Sequence, residues 1–159
     1  MISSLKSFFI AVAAAAILFM TTVNAEISSY VGVWKVTEVY DSSDRTTPRE
    51  LPTTGGPFVF KFALNDKSPT DTLSVGVKIG NQMRTSILIL DEEDSTASIK
   101  VGLLMSTQMM PPQDQFQFEM FLSKALPKMT TMSLDDAQQQ MLLVGEARMV
   151  LQAVDTADL

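Results

Sequence analysis

The sequence contains neither histidine nor cysteine, which removes the commonest general base and the strongest protein nucleophile. Carboxylates, hydroxyls, lysines and eleven methionines remain as the groups able to do chemistry. No spacing singles out a Ser–Lys pair or a pair of carboxylates, so no catalytic residue is assigned and no enzyme is expected. Met105, Met109 and Met110 suggest a soft copper(I) site, because thioethers select soft metals. With no histidine or cysteine to complete the shell, the favoured reading is that they fill gaps in the core beneath a helix start. Asp91, Glu92, Glu93 and Asp94 could attract calcium, but they lack the alternating ligand spacing and terminal Glu of a calcium loop. They read instead as a solvated hairpin tip that discourages edge pairing. Neither metal nor cofactor is therefore expected. Trp34 could floor a ligand pocket, although a strand tryptophan is more often core.

The elements that must position these residues fit one domain of 159 residues. Lys6, the 13-residue apolar run Phe8–Met20 and the small residues Val23-Asn24-Ala25 form a secretory-signal pattern. Cleavage is expected between Ala25 and Glu26, with an uncleaved membrane anchor as the alternative. The run is shorter than the roughly 20 residues of a spanning helix. Residues 26–155 then form the domain and 156–159 a loose tail. The formal charge of −6, without a basic cluster, excludes nucleic acid and anionic membrane surfaces as obvious partners. Without cysteines there are no disulfides, so stability must come from packing alone.

Residues 30–40 are rich in Val, Thr, Tyr and Trp and read as a strand, with Tyr30, Trp34, Val36 and Tyr40 on one face. Residues 41–56 form a long polar loop. Alternation places Phe58, Phe60, Phe62 and Leu64 together, and then Leu73, Val75, Val77 and Ile79. A strand over 82–90, an acidic tip at 91–95 and a strand over 96–105 follow. That last strand puts Ala97, Ile99, Val101, Leu103 and Met105 on the core face. Pro111 and Pro112 start a helix, since proline is favoured in a first helical turn. Phe118, Phe121, Leu122 and Ala125 make its buried stripe, while Asp114 and Glu119 face the positive end of its dipole and Lys124 the negative end. Pro127 stops the helix, and three short strands follow over 128–134, 139–144 and 146–154. Five strands, a helix and three strands joined by short turns predict an α+β, mainly β fold with antiparallel pairing.

Gly32-Val33-Trp34 at the start of the first strand resembles the G-x-W opening of the META domain family. Residues 73–81, ending Gly80-Asn81, stand where that family has a strand ending in G-C-N. Residues 106–111 (STQMMP) resemble its T-x-M-x-C-P segment, followed by a helix carrying an acidic residue, here Glu119. The resemblance, which spans about 30–152, implies an antiparallel sheet curled into a small barrel of about eight strands with one packed helix, about 111–126. Its motif positions are Gly32, Trp34, Gly80, Asn81, Thr107, Met109 and Pro111, which are taken as structural. Gly80 and Pro111 stand where bacterial members carry cysteines, so this is a cysteine-free variant without a redox role. It looks closer to the trypanosomatid branch, whose members are linked to secretion and virulence, than to the bacterial heat-shock lipoproteins.

The resulting expectation is a secreted or secretory-pathway protein, non-enzymatic and monomeric, that binds an unidentified protein partner as a stress- or virulence-associated accessory factor. Membrane attachment would come only through an uncleaved N-terminal segment. The alternative is a lipocalin-like carrier of a small hydrophobic ligand, with a cavity reaching Trp34.

Overall fold

The structure, a computed structural model, describes residues 27–68, 71–135, 137 and 139–155. The expected signal segment, its Ala25–Glu26 cleavage point and the 156–159 tail lie outside these residues. The chain divides into an N-terminal unit up to Tyr30 and a second unit from Val31 onward. In the first, Ile27–Tyr30 make a helical turn closed by the Tyr30 amide donating to the Ile27 carbonyl at 3.3 Å.

Among the described residues, the second unit contains nine strands and one α-helix. The strands are β1 (Gly32–Tyr40), β2 (Val59–Leu64), β3 (Thr72–Lys78), β4 (Gln82–Glu93), β5 (Thr96–Val101), β6 (Met105–Ser106), β7 (Met129–Asp135), β8 (Gln140–Gly145) and β9 (Arg148–Ala153). All their pairings are antiparallel. The ring β1-β2-β3-β4-β5-β7-β8-β9 closes on itself through β9 against β1. The result is an eight-stranded barrel in which the ring itself has no open edge. The two-residue β6 adds to β4 outside that ring.

Alternation builds the interior. Trp34, Phe60, Val77 and Met83 occupy one row across four strands, and none is more than 6% exposed. An eight-stranded barrel is just wide enough for side chains to fill. On the far wall Met132, Met141, Leu143, Met149 and Leu151 are fully buried. Met83 on β4 and Met129, Met132, Met141 and Met149 on β7 to β9 thus pack the core, whereas the methionines just ahead of the helix do not.

Helix α1 (Gln113–Ala125) begins directly after Pro112, whose carbonyl accepts the first helical hydrogen bond from Phe116 at 2.9 Å. It runs on through a 3-10 turn, Leu126–Lys128, that contains Pro127. Phe118, Leu122 and Ala125 are buried as the stripe predicts, and Phe118 meets Phe58 at 5.3 Å between ring centroids. Phe121 is only half-buried and lies beneath the Arg49 guanidinium, 4.6 Å away. The stripe instead includes Gln115 and Glu119, two polar residues that occupy the same face at i, i+4.

The strands depart from the expected pattern at several places. Strand β1 starts at Gly32, and a bulge between Val36 and Glu38 moves the inward phase from Tyr40 to Val39, which is fully buried. Strand β4 continues to Glu93, so Asp91, Glu92 and Glu93 pair with Ser98, Ala97 and Thr96 rather than forming a loop. The turn is only Asp94-Ser95, both at positive φ, the two-residue hairpin connection that matches strand twist. Leu64 at the end of β2 is 47% exposed. Leu103 and Met105 are not core residues, being 85% and 61% exposed. Strand β5 ends at Val101, and alternation does not carry through the break before β6. Met109 and Met110 are also on the surface, at 61% and 103% exposure, which overturns the gap-filling reading of these methionines.

Candidate functional site

One cluster of buried polar groups ties the helix to the β3–β4 turn and to the strand leading into the helix. Glu119 is 6% exposed and Asn81 4%. The Glu119 carboxylate accepts from the Gly80 amide at 3.0 Å, from the Asn81 amide, and from Asn81 Nδ2 at 2.7 Å. Among the described residues no cation pairs with this carboxyl, and three N–H donors meet its two oxygens. The other side of Asn81 completes the count. Its Oδ1 accepts from the Met109 amide at 2.7 Å and from Thr107 Oγ1 at 3.1 Å, and its Nδ2 also reaches the Met109 carbonyl at 3.3 Å. Both donors and both acceptor positions of this amide are used, which fixes its orientation.

Thr107 extends the junction. Its hydroxyl accepts from the Gln82 amide at 3.0 Å, and its own amide donates to the Gln82 carbonyl at 3.1 Å. Gly80 closes it sterically: a Cβ there would lie 2.1 Å from Pro111 Cβ and 2.7 Å from Gln115 Oε1. The two positions at which the resemblance places cysteines are therefore in direct contact, here glycine packed on a proline ring.

A second attachment holds the 41–56 loop to the first turn of the helix. Asp114 accepts from Thr54 Oγ1 at 2.9 and 3.0 Å and from the Thr54 amide at 3.3 Å, and the hydroxyl bond holds its carboxyl below the usual carboxylate range. Gln115 Nε2 donates to the Thr54 carbonyl and hydroxyl, both at 3.0 Å. Within the loop Asp44 accepts from Thr46 and Thr47, which also holds its carboxyl low. Further along, Arg45 donates to the Gly145 carbonyl at 3.0 Å and Arg49 pairs with Asp41 at 3.2 Å.

Of the motif residues named from sequence, the structure brings Gly80, Asn81, Thr107, Met109 and Pro111 together around Glu119. Gly32 and Trp34 belong to the barrel wall, with Trp34 in the inner row described above. Met109 contributes through its backbone while its side chain faces solvent. Glu119 sits mid-helix and solvates against the turn amides rather than answering the helix dipole. Gln115 and Thr54 were missed; the signal available was Gln115, Phe118, Glu119 and Leu122 at i, i+3, i+4 and i+7, a buried stripe half made of polar residues.

This arrangement clamps the helix to the β3–β4 turn and to the segment before the helix. Its polar atoms satisfy one another and fasten the backbone at Thr107 and Met109, on a segment that exposes Leu103, Met105, Met109 and Met110. Among the described residues, no helix is long and apolar enough to cross a membrane.

The fold and the junction define a class: a closed antiparallel barrel locked to a single helix by an acid–asparagine clamp. The chain belongs to the META domain family, whose model matches residues 30–158. It is similar in fold to an NMR structure of a protein from Burkholderia xenovorans, with a TM-score of 0.61 and 18% identity over 82% of this chain and 88% of that one. No curated protein matches the chain.

Proposed function

We propose that this META-domain protein is a secreted or secretory-pathway accessory factor, of the stress- or virulence-associated kind, that acts by binding a protein partner and catalyses no reaction. The observation that carries this reading is the set of four exposed apolar side chains, Leu103, Met105, Met109 and Met110, on the segment before the helix. Leu103, Met105, Met109 and Met110 are each more than half exposed, yet the Met109 backbone is fastened on both sides to a buried asparagine. Apolar side chains held outward on a fixed backbone are a feature of contact surfaces. The alternative, a carrier of a small hydrophobic ligand, requires space beside Trp34. Phe60, Val77 and Met83 fill that row, which favours the outer surface over the interior. The signal pattern of residues 1–25 supports the compartment.

A photo-crosslinker at position 110 of the full chain, compared with one at Lys124, tests the reading in the source cells. The expected result is one saturable partner crosslinked from position 110, competed by unlabelled protein and absent from position 124. Equal labelling from both positions, or hydrolytic turnover that follows the chain through purification, contradicts it.

A further inference from the structure

The outer face of β2, β3 and β4 carries a groove of about 620 Å³, and its chemistry is opposite to that of the chain. Register places Lys61, Gly76, Arg84 and Met105 side by side in one row across β2, β3, β4 and β6. The adjoining row holds Ala63, Ser74 and Ser86. Its floor is low because Gly76 has no side chain, and a Cβ there would meet nothing within 4 Å. Exposed Leu103 and Met105 stand at one end. No acidic residue lines the groove, although the chain carries a net charge of −6. Neither Lys61 nor Arg84 has an ion-pair partner among the described residues, whose two bridges lie elsewhere. Lys78, exposed on the next row of β3, and Lys35, joined to that row through Val59, add to the same positive field.

Two unpaired cations flanking an open glycine repel each other, a cost that a bound anion removes. Strand spacing sets Lys61 and Arg84 roughly 10 Å apart, with Met105 about 5 Å further on. We propose that this groove binds an extended acidic peptide segment of a partner protein, its carboxylates against Lys61 and Arg84 and one aliphatic side chain against Leu103 and Met105. This deepens the binding reading above and rests on it. Charge complementarity selects the occupant: an acidic strand meets a basic, small-residue floor and then an apolar rim, whereas a neutral apolar peptide would leave both cations uncompensated.

The test uses the folded full chain and a fluorescent decapeptide with Glu at alternate positions and one Leu, alongside its Gln-for-Glu counterpart. Anisotropy is expected to show binding of the Glu peptide alone, weakening as salt rises. Lys61→Glu with Arg84→Glu should weaken binding at least about tenfold, and Lys124→Glu, the same kind of charge change on the helix, by less than about twofold. Gly76→Thr fills the floor without altering charge and should also weaken binding, with its melting curve confirming the fold. Equal binding of the Gln peptide, or indifference to all three groove substitutions, overturns the proposal. So does sedimentation showing that the chain self-associates through its own Asp91–Asp94 strand end, since a second copy would then be the occupant. If the groove fails while position 110 still crosslinks a partner, only the groove assignment falls. If both fail, the binding reading falls with it.

Discussion

Exchanging the acid and the amide at the clamp probes the hydrogen-bond assignment one atom at a time. Glu119→Gln preserves shape and leaves one oxygen to accept from the Gly80 and Asn81 amides. Its new NH2 then faces Asn81 Nδ2, the donor that the lost carboxylate oxygen held at 2.7 Å. Asn81 cannot turn over to help, because its Oδ1 is engaged by Thr107 and the Met109 amide. Losing one charge-assisted bond and confronting two donors should cost about 2–3 kcal/mol. Asn81→Asp sets two buried carboxylates together and should cost more, about 3–5 kcal/mol. The double variant restores a donor facing an acceptor, so it should be at least about 2 kcal/mol more stable than the sum of the single costs allows. The single tryptophan, buried at Trp34, provides the fluorescence signal for denaturant unfolding. Native domains carry only about 5–15 kcal/mol in total, so each step is measurable. A Glu119→Gln loss below about 0.5 kcal/mol, or a double variant that costs the full sum of the two single losses, would refute the clamp as described.

Gly80→Ala drives a methyl group into Pro111 and should cost about 1–3 kcal/mol in the same unfolding assay; no loss would mean that the turn and the proline are not in contact. Ser95→Gly relieves a positive φ of 63° and should raise stability by about 1 kcal/mol, read as a higher denaturation midpoint. Mild peroxide should oxidise Met109 and Met110 well before Met132, Met141 and Met149, with little change in the melting curve until the buried set reacts; peptide mapping reporting the reverse order would contradict the surface placement. Because hydrogen bonds hold Asp114 and Asp44 below the usual carboxylate range, their contribution is present above about pH 4 and disappears as pH falls further. Amide protection in the 41–56 loop, measured against the intrinsic exchange rate at each pH, should accordingly fall on acidification before the barrel opens, and Thr54→Val should make the Asp114 part of that response disappear.

The clearest alternation, Leu73 to Ile79, translated directly into an inward face, because a half-buried strand leaves its period in the residue types. The helix and the three strands after it were legible for the same reason, and the closed barrel with one helix was implied by the resemblance. What escaped was set by contacts distant in sequence. Nothing local at Thr37 announces the bulge that turns Val39 inward; it arises from pairing with β9. Leu103 and Met105 continue an apolar pattern, yet β6 pairs only with the first part of β4, and their outer position follows from that pairing. At the clamp, Met109 matters through its amide and carbonyl, groups that every residue type other than proline possesses. Glu119 looked like a dipole partner because its true partners, the amides of residues 80 and 81, are backbone groups nearly forty positions away. The groove was invisible for a related reason: Lys61 and Arg84 become neighbours only when β3 is laid between them.

A buried asparagine fixes an exposed segment in place, and the Met109 amide reports that restraint directly. Its side chain is 61% exposed, but its N–H donates to Asn81 Oδ1 at 2.7 Å. Native-state hydrogen exchange should find this amide protected to the level of the core strands, far beyond its neighbour Met110. Exchange at the rate of a free loop would show that the segment is not held, and the account built on its presentation would fail.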